Sequence, residues 1–488
     1  MFGLWCSNCV KCDTIKKIVR TDAKKQRRAG FGGDAGCSPH LMGRIMKAVK
    51  RCIAVVLCAA LLSGCSLISS GDDLLQTPRP SENFMLLQEQ LEQIMGDTMT
   101  YVSPQGGEYR NTVTFEDIDG DSEKEAIAFL REGSGGKIYV YAFELEDDEY
   151  RQIGCIEGPG SALGSMSFLR INEKDEGTGK KRKEKLLVLT WTLSGDVKQG
   201  MTVCAVQDGS LTEVLDATYT NYTVSDLDGD GSEELFTVTY DDTGRKTAQV
   251  YDYADNKMIL LSQTDATQDV QTVANITKGK LDEEGNQAVF VDNKFENDNG
   301  IQTDIYVLDK TRLRNVALSA NASTYRSISL YYCSDIDGDG IIEVPQLQPM
   351  PGYEDSDATQ TLWMVDWYRY SINGATQRTL TTYDSLAEGW TFRFPKEWRG
   401  AVTATTTSEA GVSQTTFMQP GQLNDPLLTI YVFTGEDRET AAGSGGLIDL
   451  GSTADTCFAA KLGESESSYQ ISEAEAVEAF SVVQSEWK

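Results

Sequence analysis

The sequence predicts a mainly β protein: a β-propeller of five four-stranded blades, followed by a small C-terminal α/β domain. Three observations lead to this prediction. A short acidic motif occurs three times at equal spacing, and a weaker repeat divides each interval in two. Short runs of β-forming residues, separated by Gly, Asp and Asn turns, fill the same region. Repeats of about 40–50 residues with four strands each are typical of propeller blades.

The acidic motif has the form Asp-x-Asp-Gly-Asp and begins at Asp117, Asp226 and Asp335, which are 109 residues apart (226 − 117 and 335 − 226). Each copy has a glutamate at its ninth position. Oxygen ligands at alternate positions of a tight glycine loop suit a hard cation such as Ca²⁺. We predict structural Ca²⁺ held by side chains at positions 1, 3, 5 and 9 and by the carbonyl at position 7. The predicted ligands are Asp117, Asp119, Asp121, Glu123 and Glu125; Asp226, Asp228, Asp230, Ser232 and Glu234; and Asp335, Asp337, Asp339, Ile341 and Glu343.

Two other interpretations of these loops are possible. An EF-hand needs an acidic residue at position 12 and flanking helices, but position 12 is Ala128, Thr237 or Gln346, and β-forming residues follow each loop. A metal-free Asx turn with solvated carboxylates is the other alternative. Four carboxylates within nine residues repel one another without a cation, which favours the metal loop.

The shorter repeat is visible between the second and third loops. Residues 281–290 align without gaps on residues 227–236, an offset of 54 (281 − 227). Lys280 and Ala288 replace the first and last ligands of this fourth unit, so we predict no metal there. Residues 168–172 and 186–189 occupy the same place between the first two loops. Five units therefore run from about residue 112 to residue 385.

These units resemble the FG-GAP/VCBS class of propeller repeats. That class places a strand before Asp-x-Asp-Gly-Asp-Gly-x-x-Glu/Asp and an apolar strand after it, as at 117–130, 226–240 and 335–344. The resemblance implies Ca²⁺ in the loop between the first two strands of a blade. Ser122 departs from the pattern, since it replaces the second glycine of the first loop.

The N-terminal region carries a targeting signal. Basic residues precede an apolar run at 53–62, which is too short to span a bilayer and is typical of a signal peptide. The run ends in Leu62-Ser63-Gly64-Cys65, which resembles the lipobox of bacterial lipoproteins. The resemblance implies cleavage before Cys65, lipid on Cys65, and a position on the cell membrane facing outside the cytoplasm. Because signal peptides begin close to their basic residues, residues 1–45 are interpreted as a mis-assigned start.

The predicted organisation is a leader at 1–64, a tether at 65–80, a helix at 81–97, the propeller at 98–386 and the α/β domain at 387–488. The last segment resembles the small α/β domains of the PsbP/Mog1-like group. It is predicted to end in a helix with a capping box at Ser472 and Glu475. The apolar stripe of that helix is predicted to contain Val477, Phe480, Val483 and Trp487.

Composition excludes several classes of function. A net charge of −30 argues against nucleic-acid binding, which requires clustered Lys and Arg. The only histidine, His40, lies in the predicted leader, which excludes Ser-His-Asp and Cys-His catalysis and histidine-ligated zinc from the processed chain. The remaining cysteines are far apart, and we expect buried thiols rather than a disulfide framework: Cys155, Cys204, Cys333 and Cys457.

The leading functional hypothesis is a lipid-anchored, non-catalytic binding or scaffold protein for an unknown protein or polysaccharide. One alternative is a carbohydrate-active hydrolase or lyase with paired carboxylates in the propeller channel. Another is an envelope assembly factor. The basic run at 180–183 is expected to be a solvated loop rather than an anion site. Four tryptophans are expected in the core rather than on a carbohydrate-binding face: Trp191, Trp363, Trp367 and Trp390.

Overall fold

The computed structural model describes residues 82–483, apart from 148, 175–180, 194–198, 296–299, 321–322, 358 and 465. The predicted signal peptide, Cys65, the tether and Trp487 lie outside the described residues. Within the described part of the chain, no helix is long and apolar enough to cross a membrane.

Four antiparallel sheets follow one another along the chain, each built from consecutive strands. The first contains β1 (Met99–Tyr101), β2 (Val113–Glu116), β3 (Glu125–Glu132), β4 (Ile138–Glu146) and β5 (Glu149–Glu157). The second contains β6 (Ala162–Lys174), β7 (Lys181–Thr192), β8 (Gln199–Gln207) and β9 (Ser210–Tyr219). The third contains β10 (Asn221–Ser225), β11 (Glu234–Tyr240), β12 (Lys246–Ala254) and β13 (Lys257–Asp265). The fourth contains β14 (Thr272–Lys280), β15 (Gln287–Lys294), β16 (Ile301–Asp309) and β17 (Arg312–Asn315).

The last part of the chain forms two five-stranded antiparallel sheets. The fifth sheet contains β18 (Val344–Pro349), β19 (Trp363–Tyr370), β20 (Thr376–Ser385), β21 (Trp390–Arg393) and, at its far edge, β27 (Phe480–Val482). The sixth contains β22 (Thr403–Glu409), β23 (Val412–Met418), β24 (Pro426–Thr434), β25 (Ile448–Ser452) and β26 (Thr456–Leu462). The helices are α1 (Glu82–Met95), α2 (Val316–Ser319), α3 (Arg438–Ala442) and α4 (Glu473–Ala479).

The central strands of the repeat sheets are apolar on both faces because each sheet packs between two neighbours. In the third and fourth sheets, the rings of Phe236 and Tyr306 lie 5.0 Å apart in one shared core. The adjacent Ile305 faces the opposite side and packs with Val344 of the fifth sheet. Alternate residues of one strand therefore join two different neighbours. This succession of four-stranded antiparallel sheets is the propeller-type architecture that the repeat predicts.

The two ends of this succession are covered by other elements. Leu87 and Leu91 of α1 are fully buried against the first sheet, since their spacing of four residues places them on one face of the helix. The fifth sheet shares its outer core with the sixth, where Trp390 and Phe392 pack with Phe417. Among the described residues, no hydrophobic cluster joins the first sheet to the fifth. The repeat sheets and the C-terminal segment belong to one compact unit from residue 82 onward.

The end of the chain differs from the prediction. The capping box is confirmed, since the Ser472 side chain accepts a hydrogen bond from the Glu475 backbone. The helix, however, ends at Ala479, and Val477 is 47% exposed, so the predicted long apolar stripe was wrong. Phe480 instead begins β27, whose backbone pairs with β21. Its ring stacks on Trp390 at 5.8 Å, and this packing favours the strand.

Three smaller expectations have mixed outcomes. Trp191, Trp367 and Trp390 are core residues as expected, whereas Trp363 is only partly buried. The four described cysteines are unpaired, but Cys155 is exposed instead of buried. The basic run does not lie wholly in a loop, because β7 already begins at Lys181 and pairs with β6; residue 180 lies outside the described residues.

Candidate metal-binding loops

The three acidic loops occupy equivalent places in the first, third and fifth sheets. The first connects β2 to β3 and the second connects β10 to β11. The third precedes β18, and the strand before it is reduced to a single bridge between Ser334 and Glu343. At position 4 of each loop the glycine has a φ near +80°, which a residue with a Cβ rarely adopts. The φ angles are 81° at Gly120, 80° at Gly229 and 82° at Gly338.

Position 6 of the first loop is strained. Gly231 and Gly340 have positive φ angles there, and Ser122 must adopt the same left-handed conformation, with φ 81°. A non-glycine residue in that region costs about 1–2 kcal/mol. We expect Ser122→Gly to raise the free energy of unfolding by about 1 kcal/mol, measured by urea unfolding. The reverse change Gly231→Ser serves as the comparison and should destabilise the protein; a destabilising Ser122→Gly would show that the loop conformation has been misread.

Backbone hydrogen bonds fix the positions of the loop aspartates. The first aspartate of each loop accepts the N–H of the position 4 glycine at 2.7–2.8 Å. The third aspartate accepts the N–H of position 7, at 2.7 Å from Glu123, 2.7 Å from Ser232 and 2.9 Å from Ile341. These Asx turns orient the carboxylates. The role of the position 7 carbonyls as ligands stays a prediction.

The glutamate at position 9 closes each loop from inside the protein. Glu125 and Glu234 are 2% exposed, and Glu343 is fully buried. Each accepts a hydrogen bond from the residue after the first aspartate: Ile118 at 2.7 Å, Leu227 at 2.6 Å and Ile336 at 3.2 Å.

These buried carboxyl groups resist ionisation. Burial, together with the charges of the neighbouring aspartates, raises the pKa of Glu125 to about 7 and the pKa of Glu234 to about 8. Burial also raises the pKa of Glu343, but the Arg369 guanidinium opposes that rise. A cation among the carboxylates favours their charged form.

The carboxylate oxygens converge closely enough to share one ion. Asp117, Asp119 and Glu125 each offer an oxygen within 4.8 Å of the others. The three aspartates of the second loop and those of the third do the same. An all-oxygen, anionic donor set of this kind fits Ca²⁺ better than softer metals. The structure thus brings together three of the predicted side-chain ligands in each loop; Glu234 and Glu343 are not part of these clusters, and metal binding by the predicted set stays a prediction.

Each loop also connects its own sheet to a neighbouring one. The N–H of Lys185 in the second sheet donates to the carbonyl of Ile118 at 2.9 Å, and the N–H of Glu233 donates to Arg170 of the second sheet at 2.8 Å. In the third loop, Ile342 N–H donates to Lys280 of the fourth sheet at 2.9 Å. An ion that orders these loops would therefore stabilise the junctions between sheets.

The fourth unit closes its loop without a carboxylate cluster. The Asn286 amide donates to both oxygens of Asp282, at 3.0 and 2.8 Å, and Leu281 N–H donates to the Asn286 carbonyl at 2.7 Å. The neutral side chain of Asn286 thus holds the Asp282 carboxylate in this loop, as a bound cation would hold the carboxylates of the acidic loops.

Sequence reasoning missed the residues that lie opposite position 9 on the next strand. The strand register pairs Ala126 with Phe143, Leu235 with Tyr251 and Val344 with Tyr368. One residue further along, this register places Glu144, Asp252 and Arg369 beside the position 9 glutamates of the three loops. Only the hairpin register identifies these residues, because the connections between the paired strands differ in length.

A basic cleft of about 550 Å³ lies beside the third loop, between the fifth sheet and the turn that follows β21. Five cationic side chains line it. Arg399 is neutralised by Asp366, with N–O distances of 2.6–3.0 Å, and Arg369 contacts the acidic loop. The other three are exposed and form no ion pair with the described residues: Arg378, Arg393 and Lys396.

Comparisons with known proteins concern only the fold. No family model and no curated protein matches the sequence. Similar solved structures include a rhamnogalacturonan lyase from Bacillus licheniformis (13% identity, 66% of this chain and 70% of that chain, TM-score 0.23). Another is an α-L-arabinofuranosidase from Fusarium graminearum, with 10% identity, coverage of 74% of this chain and 96% of that chain, and a TM-score of 0.27. A third is TolB from Acinetobacter baumannii, with 11% identity, coverage of 60% of this chain and 76% of that chain, and a TM-score of 0.20. At these values the matches assign no activity to this chain, and the FG-GAP/VCBS and PsbP/Mog1-like resemblances stay predictions.

Proposed function

We propose that this protein is a Ca²⁺-binding, propeller-type binding module that acts without catalysis on the outer side of the cell membrane, tethered by lipid on Cys65. The observation that carries the proposal is the convergence of carboxylates in loops that also join adjacent sheets. Ca²⁺ in such loops serves the scaffold, and extracellular Ca²⁺ is abundant enough for sites with dissociation constants near 10⁻⁴–10⁻³ M.

The basic cleft is the surface that we assign to ligand binding. In a chain of net charge −30, three exposed cations around one concave surface favour an anionic ligand. The partner class that fits an extracytoplasmic location is an acidic polysaccharide, whose carboxylates form charge-assisted hydrogen bonds with arginine.

Binding to this cleft is tested by calorimetric titration with polygalacturonate, with neutral amylose as the reference polymer. We expect binding to polygalacturonate only, and at least a tenfold loss in the double variant Arg393→Glu, Lys396→Glu. Lys257→Glu also replaces a cation by an anion, at the exposed first residue of β13, and should leave the affinity unchanged. Equal binding by all variants would refute the cleft, and release of new reducing ends would favour the hydrolase or lyase alternative.

The anchor is tested in cells that express the full chain and its Cys65→Ser variant. We expect the unaltered protein to sediment with membranes and to incorporate labelled palmitate, and the variant to lose the label. An unlabelled protein that retains residues upstream of Cys65 would contradict the proposed anchor.

A further inference from the structure

Three polar residues interrupt the apolar core that the third and fourth sheets share. Lys246 in β12 lies two residues before Ala248, and Asn293 in β15 lies two residues after Val291; both of these neighbours belong to that core. Residues two apart in a strand project to the same face, so Lys246 and Asn293 also point into the junction. Asp304 in β16 pairs with Val291. Lys246 is the only buried lysine in the part of the chain that the structure describes, and Asn293 is fully buried.

The three residues form a chain of hydrogen bonds. Lys246 Nζ donates to Asn293 Oδ1 at 2.8 Å, and Asn293 Nδ2 donates to Asp304 Oδ2 at 2.9 Å. Because a C=O bond is about 1.2 Å long, the lysine nitrogen lies within about 4 Å of the Asn293 Cγ atom. The junction therefore brings together an amine, the carbonyl carbon of an amide, and a carboxylate beside the amide nitrogen.

Neutral groups fix the orientation of the aspartate. Its carboxylate accepts hydrogen bonds from the Thr267 N–H at 2.9 Å, the Thr267 hydroxyl at 2.7 Å, the Asn315 amide at 2.7 Å and the Tyr306 hydroxyl at 3.1 Å. The adjacent Gln268 holds the lysine backbone: Lys246 N–H donates to Gln268 Oε1 at 3.0 Å, and Gln268 Nε2 donates to the Lys246 carbonyl at 2.8 Å. The connection between β13 and β14 therefore positions both ends of the hydrogen-bonded chain.

The surroundings of the lysine favour a nucleophilic amine. Burial lowers the pKa of Lys246 to about 8, and the negative charge of Asp304 opposes this fall. The uncharged form of a desolvated lysine carries the lone pair that attacks a carbonyl carbon. Near neutral pH, Lys246 therefore has a much larger uncharged fraction than an exposed lysine has.

We propose that Lys246 and Asn293 are joined by an intramolecular isopeptide bond, which the folded protein forms by itself with Asp304 as the proton carrier. The Nζ lone pair forms a bond to Asn293 Cγ, and the bond between Cγ and Nδ2 breaks. Asp304, whose Oδ2 contacts Nδ2, takes up the proton that Nζ loses and passes it to Nδ2, so that ammonia leaves. An amine and an amide become a substituted amide and ammonia, and the reaction consumes nothing else.

Such a bond would cross-link the third sheet to the fourth. It would close a loop of 47 residues (293 − 246) and constrain the unfolded chain as a disulfide does, but under any redox conditions. The proposal does not depend on the proposed Ca²⁺ binding, because Lys246, Asn293 and Asp304 lie outside the acidic loops.

Peptide mapping of the unaltered full chain tests the proposal. The cleavage sites of trypsin place Lys246 and Asn293 in the separate fragments 246–257 and 281–294. We expect these fragments as one branched species that is lighter than their sum by one ammonia, about 17 Da. Its fragmentation spectrum should place the link between Lys246 and Asn293. Two separate fragments at their full masses, together with cleavage after Lys246, would overturn the proposal.

Three variants assign the roles of the residues. Lys246→Met removes the nucleophile and Asp304→Asn removes the proton carrier, and we expect each to abolish the branched species. Lys310→Met, on the exposed turn between β16 and β17, should retain it. Circular dichroism shows whether each variant is folded, and the unaltered chain decides the proposal even where a variant does not fold. A branched species that persists in Lys246→Met would contradict the nucleophile, and one that persists in Asp304→Asn would contradict the role of Asp304.

Discussion

Replacing Arg326 by methionine is expected to lower the free energy of unfolding by about 3–5 kcal/mol, because it leaves a buried charge without its partner. Arg326 and Asp292 are both fully buried, with Nη2 2.7 Å from Oδ1. Thr303 also donates to Asp292, at 2.6 Å, and the Cys333 N–H donates at 3.1 Å. These hydrogen bonds connect the segment before β18, which contains Arg326 and Cys333, to β15 and β16. Urea unfolding followed by tryptophan fluorescence measures the effect.

The matched control for this change is Arg314→Met. Arg314 and Asp309 form an ion pair at 3.5 Å on the surface of the same sheet, where such pairs contribute about 0–1 kcal/mol. We expect its unfolding midpoint to stay close to that of the unaltered protein. Equal effects of the two substitutions would mean that the buried network does not hold the fourth and fifth sheets together.

Trp390→Ala is expected to lower the free energy of unfolding by a similar amount, about 3–5 kcal/mol, because the substitution leaves a cavity in the core. Trp390 is fully buried in β21, where its ring lies 5.5 Å from Tyr383 and 5.8 Å from Phe480. Both partners belong to the fifth sheet, and the same core contains Phe417 of the sixth sheet. Since one core serves both, we expect the fifth and sixth sheets to unfold in a single transition that moves to lower temperature in the variant.

Differential scanning calorimetry distinguishes this shared core from two independent domains. Leu423→Ala, at a position that is 69% exposed, is the control and should not shift the transition. If Trp390→Ala shifts only a separate C-terminal transition and leaves the rest of the profile in place, the segment after residue 386 is an independent domain, as the sequence had suggested.

The acidic loops and the repeat could be predicted because both are local properties of the sequence. The spacing of Asp117, Asp226 and Asp335 requires no knowledge of tertiary contacts, and the turn-forming glycines follow from backbone sterics. The burial of α1 follows equally from helical periodicity, which places Leu87 and Leu91 on one face.

Features that depend on pairing over long distances could not be predicted. Phe480 has a helical spacing to its neighbours, and only its contacts with β21 in the fifth sheet convert it into a strand residue. No sequence motif marks Arg369, because its position beside Glu343 depends on the register between β18 and β19. Asp292 follows the apolar run at 288–291 in β15, and nothing in the order of residues reveals that Arg326 neutralises it.

The most direct test of the central claim, that the acidic loops bind Ca²⁺ and thereby stabilise the sheets, is thermal unfolding with about 10 mM CaCl₂ or with excess EGTA. This Ca²⁺ concentration is about tenfold above the weakest dissociation constant expected for such sites, about 10⁻³ M. We expect the melting temperature to fall by several degrees in EGTA and to recover when Ca²⁺ is restored. The double variant Glu125→Gln, Glu234→Gln, which alters two of the three acidic loops, should lose the larger part of this response. Melting curves that coincide with and without Ca²⁺ would contradict the account.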